Sequence, residues 1–283
     1  MKNFIVRTIT GVFFVALIVV GFLNAQAMTL LFALVTGLTV WEFTGLVNDR
    51  PYITVNRFIC TVSAVYLFAA MAGFNSGMTP ASVFIPYLVS IVYLLIAELY
   101  LQAKDPINNW AYTMLSQLYI ALPFSLLSVL AFRSNGYGIQ YSYLAPLSVF
   151  VFLWVNDAGA YICGSLMGRH KLFPRVSPGK TWEGSIGGGL LTVAAAVAIW
   201  HITTSYGVND LGLTVYEWAG MALVVTIFGT WGDLIESLFK RTLGIKDSGS
   251  ILPGHGGMLD RFDSSLLAIP ATVVYLYTLT MIR

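Results

Sequence analysis

The chain is 283 residues long, 57% hydrophobic and 10% charged, with a mean hydropathy of +0.78 and a formal net charge of +2. That apolar share lies far above the usual one for a soluble domain, so a water-soluble globule is excluded and a bilayer is the solvent that fits. The small net charge singles out no polyanionic partner, and no nucleic acid is expected to bind.

Apolar runs able to cross about 30 Å of hydrocarbon recur at roughly 8–23, 28–47, 57–74, 81–101, 110–132, 144–168, 184–206, 215–236 and 264–282. They predict an all-α, polytopic integral membrane protein with about nine transmembrane helices. No linker or low-complexity tract interrupts residues 1–283, which read as a single membrane domain: a hydrophobic helical half at roughly 1–140, and a half at 141–283 that carries the chemistry.

At the first run, "MKNFIVR" and the later "AQA" at 25–27 imitate a signal peptide with its cleavage site. The next apolar run begins at once, so an uncut first helix is expected. Glu42 and Glu98 fall nearer the ends of the second and fourth runs, where they are expected to snorkel or make structural contacts. Both are left out of the site. Cys60 and Cys163 lie in apolar runs without metal-ligand spacing and read as buried small hydrophobes.

Asp157 stands near the middle of the sixth run, where an ionisable group costs about 2.5–3.5 kcal/mol and must face a partner or a wet cavity. Cavity lining and a structural hydrogen bond are both open readings. Gly159, Ala160, Gly164, Ser165 and Gly168 follow it and permit close helix packing. "GKT" at 179–181 imitates a P-loop, but Pro174 stands where that motif needs glycine, and no strand-to-helix turn frames it. Thr181 is instead the predicted N-cap of the seventh helix, with Glu183 in its first turn. The seventh run opens on "GSIGGG", which membrane helices tolerate better than soluble ones.

The cations orient the helices. With a cytoplasmic N-terminus, the inside segments carry Lys2, Arg7, Arg50, Arg57, Lys104, Arg169, Lys171, Arg175, Lys180, Lys240, Arg241, Lys246 and Arg261. The outside segments carry only Arg133 and Arg283. Thirteen of the fifteen cations on one side predict a cytoplasmic N-terminus and an extracytoplasmic C-terminus.

One stretch, "SLFKRTLGIKDSGSILPGHGGMLDRFD" from Ser237 to Asp263, gathers four cations, three carboxylates, a histidine and five glycines. Orientation alone needs no carboxylates. Asp233, Ser237 and Lys240 fall on one face at the end of the eighth helix, and Asp260 and Asp263 on one face at the start of the ninth. A few oxygen ligands with room for water and phosphate suit Mg²⁺. Lys240, Arg241, Lys246 and Arg261 suit a polyphosphate, and Gly254, Gly256 and Gly257 allow backbone N–H groups to approach one closely.

The same stretch resembles the signature of the phosphatidate cytidylyltransferases, or CDP-diacylglycerol synthases, over its whole length. The matching elements are Ser237, Lys240-Arg241, Lys246-Asp247, Gly249, Pro253, His255-Gly256-Gly257 and Asp260-Arg261-Phe262-Asp263. "WGDLIES" before it and "NDAGAYICGSLMGRHKLFPRVSPGKTWEGS" at 156–185 look like the same family. The resemblance implies transfer of the cytidylyl group of CTP to phosphatidic acid with release of pyrophosphate, in phospholipid biosynthesis, with Mg²⁺ required.

It implies that Asp233 and Asp260 bind the metal and that Lys246 and Asp263 join them in catalysis. Substrate binding is expected of Lys180, Ser237, Lys240, Arg241, Asp247, His255, Gly256, Gly257 and Arg261. In "SPGKTWEG" Gly179 replaces a lysine frequent in the family, which leaves Lys180 as the phosphate contact there. The expected setting is a bacterial inner membrane, multi-pass, with the site on the cytoplasmic side and a homodimer left open.

Charge explains the expected mechanism. A phosphate monoester has its second pKa near 6, so phosphatidate carries a nucleophilic oxygen at neutral pH and needs no base. His255 therefore reads as a phosphate donor as readily as a base. A CTP-dependent polyprenol kinase would share the "KTWEGS" element but lacks the complete His255–Asp263 run. A transporter would show paired broken helices or internal repeats, and neither is visible. The "DG…AR…G…D…D" pattern of CDP-alcohol phosphotransferases is absent.

Overall fold

Short polar side chains stand where the apolar runs begin, and they start the helices. Asn24 Oδ1 accepts the N–H of Gln26 at 2.8 Å and of Ala27 at 3.3 Å, Asn56 that of Ile59 at 3.0 Å, and Asp105 that of Asn108 at 3.3 Å. The computed structural model describes residues 2–134, 138–249 and 256–283. Its helices are α1 (Lys2–Phe22), α2 (Ala25–Asn48), α3 (Arg57–Asn75), α4 (Ala81–Leu101), α5 (Pro106–Ala131), α6 (Leu144–Met167), α7 (Trp182–Ser205), α8 (Val215–Thr242), α9 (Leu259–Phe262) and α10 (Ser265–Ile282).

Among the described residues, eight stretches are long and apolar enough to cross a bilayer: α2 to α8, and Leu259–Ile282. The apolar part of α1, Thr10–Phe22, is shorter. A polytopic, mostly helical membrane protein is what these elements describe.

The purely helical expectation takes one correction. Two antiparallel ribbons join helices, β1 (Phe132–Ser134) with β2 (Ile139–Tyr141), and β3 (Lys171–Phe173) with β4 (Ser177–Thr181). These polar connections have no helix of their own, so their backbone groups pair with each other. Helix α8 runs to Thr242, beyond the apolar run's expected end near 236, so it carries Arg241 as well as Ser237 and Lys240, the two already placed on its last face. The fifth span is not regular either. A π turn at Ser116–Ala121 precedes Pro123, whose missing N–H cannot continue the ladder.

The chain forms two units, residues 1–141 with 242–262, and residues 142–241 with 263–283. In the first unit, Phe22, Phe32, Phe124 and Phe262 form a buried ring cluster, with centroids 5.0 Å apart for Phe22–Phe32 and 5.3 Å for Phe124–Phe262. Phe262 thus anchors the "DRFD" segment in the core. In lipid such rings gain from packing, since leaving water supplies no drive between helices. The buried hydroxyls of Thr36, Thr39 and Thr44 donate to carbonyls one turn back at 2.6, 2.7 and 2.7 Å, so no polar group of theirs is stranded.

In the second unit the glycines of α7 form its seam with α6. A Cβ on Gly184 would lie 2.8 Å from the Ala160 carbonyl, and one on Gly188 only 2.6 Å from that of Asn156. Backbone meets backbone there, as small residues in membrane helices permit. The predicted cap holds: Thr181 Oγ1 accepts the Gly184 N–H at 3.2 Å.

Candidate functional site

In the second unit, the last turns of α8 carry Asp233 with its side chain half-buried. Ser237, one turn on, donates from Oγ to Asp233 Oδ1 at 3.1 Å, as the predicted shared face requires. Lys180, on β4, places Nζ 2.5 Å from Asp233 Oδ2. Asp263 Oδ1 accepts the Ser264 N–H at 2.5 Å. Gly232 brings the two backbones together, since a Cβ there would meet the Asp263 carbonyl at 2.7 Å. Asp233 is thus met by one lysine on Oδ2 and one hydroxyl on Oδ1.

The ribbon that presents Lys180 is itself pinned. Glu183 accepts the N–H groups of Arg169 and His170 at 3.2 Å, and lies 2.6 Å from His170 Nδ1. Lys240 lies 2.7 Å from the fully buried Glu236. Glu236 was not singled out from sequence, although a carboxylate four residues before a lysine on a helix is a readable signal. Arg241 is exposed.

A polar cavity of about 310 Å³ is lined by Asp157, Lys180, Thr181, Ser185, Thr230 and the buried Asn156, among others. Asn156 Oδ1 accepts no hydrogen bond from the described residues and lies against Gly188, 2.7 Å from where a Cβ there would sit. The "ND" pair within an apolar run was its sequence signal, and only the aspartate was read. An apolar cavity of about 470 Å³, bounded by Leu172, Trp182, Leu190, Leu223 and Trp231 among others, shares Ser185 and Thr230 with the polar one. The first has room for a charged headgroup, the second for hydrocarbon.

In the first unit, the segment after α8 leaves Lys246 and Asp247 exposed, and Arg261 is exposed on α9. Asp260 Oδ2 accepts the N–H groups of Ser248 at 2.9 Å and Gly257 at 2.8 Å. Gly256 has φ of +82°, and a Cβ on it would meet Asp260 Oδ2 at 2.4 Å, so only glycine suits the turn. The Gly257 amide thus donates inward to Asp260. His255 and Gly254 lie outside the described residues. Asp260 and Asp263 do not share one continuous helix, because α9 ends at Phe262 and α10 begins at Ser265.

No three metal-ligating side chains converge among the described residues. Asp233, with Ser237 and Lys180 on its oxygens, is the carboxylate this unit offers a cation; Mg²⁺ takes one or two carboxylates and completes its shell with water and substrate phosphate.

The cytidylyltransferase family model matches residues 3–279. The chain is 31% identical to a phosphatidate cytidylyltransferase of Staphylococcus aureus (strain COL) over 266 residues, 94% of this chain and 96% of the relative. It is 32% identical to the phosphatidate cytidylyltransferase of Staphylococcus haemolyticus (strain JCSC1435), with the same coverage of both chains.

Proposed function

Because the chain belongs to the cytidylyltransferase family, we propose that it transfers the cytidylyl group of CTP to phosphatidate, giving CDP-diacylglycerol and pyrophosphate. The observation that carries this reading is the pair of adjoining cavities in the second unit. One presents Lys180, Asp157 and Asn156, the other is hydrocarbon-lined, and Ser185 and Thr230 belong to both. A lipid whose phosphate must meet a nucleotide while its acyl chain stays in an apolar medium fits that pair.

In the reaction an ionised phosphate oxygen of phosphatidate attacks the α-phosphorus of CTP. The bond from the α-phosphorus to the β-phosphate bridge breaks, and pyrophosphate leaves with the electron pair. The nucleophile is already deprotonated at neutral pH, so no side chain has to remove a proton. Lys180 screens the approach of two anions and stabilises charge developing on the phosphates. Ser237 holds the Asp233 carboxylate in orientation through its 3.1 Å hydrogen bond. Asp233 and Asp260 are the carboxylates assigned to Mg²⁺, with Asp263 adding negative charge beside Asp233. When bound, the ion supplies Lewis-acid polarisation and charge neutralisation. Lys240, Arg241, Lys246, Arg261 and His255 are assigned to the phosphates, with Asp247, Gly256 and Gly257 shaping the segment around them.

The same reading places nine helices across a bacterial inner membrane, N-terminus inside and C-terminus outside, with the charged segments on the cytoplasmic side. Thirteen of fifteen cations on one face support it. Position-labelled CTP tests the chemistry. Label at the α-phosphate should enter lipid in the presence of phosphatidate and Mg²⁺, while γ-label should appear only in pyrophosphate. Lipid labelled from the γ position would mean a lipid kinase, and no lipid label from either position would reopen a transport role.

A further inference from the structure

We propose that Glu42, on α2, is a positioning residue for the reaction: it holds the segments around Ser248 and Gly257–Leu259 so that the Asp260 carboxylate is correctly aimed. This rests on the role given to Asp260 above. Glu42 is only 8% exposed on an otherwise apolar helix, where a carboxylate is costly unless donors surround it. Three do. Its Oε1 accepts the Ser248 hydroxyl at 2.5 Å and the Leu259 N–H at 3.1 Å, and its Oε2 accepts the Met258 N–H at 2.9 Å. These bonds tie α2 to residues 206, 216 and 217 positions further along the chain.

Two signature glycines are shaped by the same carboxylate. A Cβ on Gly249 would lie 2.6 Å from Glu42 Oε2, and one on Gly257 would lie 2.1 Å from Oε1. Neither position leaves space for a side chain while Glu42 is in place.

Ser248 then connects Glu42 to Asp260. Its hydroxyl donates to Glu42 and accepts the Asp260 N–H at 3.3 Å, while its own N–H donates to Asp260 Oδ2 at 2.9 Å. Met258 and Leu259, the other two residues gripped by Glu42, immediately precede Asp260. The aspartate is held from both sides by one buried acid. Three convergent donors require a group that only accepts, which a carboxylate is and an amide is not. A displacement of about 1 Å in a reacting group costs ~10²-fold in rate, so the hold matters for catalysis.

The test compares purified, full-length Glu42→Gln, Glu42→Asp, Ser248→Ala and Asp260→Asn with the parent. Measured are kcat, KM for CTP, the Mg²⁺ dependence of the rate, and amide hydrogen exchange of peptides spanning Gly256–Asp263. Glu42→Gln should exchange faster there, need more Mg²⁺ and lose ~10²-fold in kcat. Ser248→Ala should lose ~10-fold in kcat. The Glu42→Gln, Ser248→Ala double variant should be no worse than Glu42→Gln alone, because both act through one network. Glu42→Asp should recover part of the rate.

Normal kcat and unchanged exchange in Glu42→Gln would overturn the proposal, as would losses that multiply in the double variant. Where Glu42→Gln fails to fold, Ser248→Ala with normal kcat and Mg²⁺ dependence overturns it. Full activity in Asp260→Asn would overturn the role of Asp260 itself. Loss in Asp260→Asn with none in Glu42→Gln would overturn Glu42 alone.

Discussion

Replacing Lys180 by Met removes one positive charge and keeps most of the aliphatic stem. In the structure Lys180 Nζ lies 2.5 Å from Asp233 Oδ2, with the two side chains 25% and 28% exposed, beside a polar cavity of about 310 Å³. Gly179 next to it contributes no charge, so β4 offers no second cation in its place. A preorganised donor aimed at developing phosphate charge is worth about 2.7–4 kcal/mol, or ~10²–10³-fold in kcat. The cost to folding is far smaller, because a partly exposed pair contributes up to about 1 kcal/mol. Lys180→Met should therefore stay folded and monodisperse in detergent while incorporating α-labelled CTP into lipid at least ~10²-fold more slowly. Lys180→Arg restores the charge but brings a planar fork to a single-point contact, and should recover only part of the loss. A purified Lys180→Met enzyme with kcat and KM for CTP within about threefold of the parent would refute the assignment, since that difference is below what an interaction made in the transition state supplies.

Asp233→Asn and Asp260→Asn keep side-chain size and remove an anionic oxygen, so each should abolish turnover at ordinary Mg²⁺ while leaving the protein in the membrane. Near-normal turnover in either purified variant removes that residue from the metal site. Gly184→Val drives a branched side chain against the Ala160 carbonyl, 2.8 Å from where its Cβ must sit, and should cost about 1–3 kcal/mol through overpacking. Thermal denaturation of the solubilised protein checks this, and an unchanged midpoint would mean that α6 and α7 do not need their close approach. Reporters fused after Arg133 and Arg283 should be extracytoplasmic, and one after Arg175 cytoplasmic; a cytoplasmic C-terminus would end the nine-helix topology.

What was legible in the chain was local. Apolar length alone marked each long helix, because a segment in hydrocarbon must satisfy its own backbone and only a helix does so within itself. Thr181 as a cap and Ser237 one turn from Asp233 were equally readable, since each depends on spacings of three or four residues. The charged stretch near the C-terminus also carried the family resemblance in its residue types, and the family model matches residues 3–279. Only tertiary structure decided which groups meet. Lys180 reaches Asp233 because a β ribbon, absent from a purely helical reading, carries it there. Glu42 looked like a helix-end acid, yet it meets Ser248 from 206 residues away. The glycines of α7 looked like a weakness in a helix and are the surface on which α6 packs. Periodicity along a chain reports the solvent each residue prefers, whereas contacts between distant residues depend on how side-chain volumes fill space, and no short window of sequence contains that information.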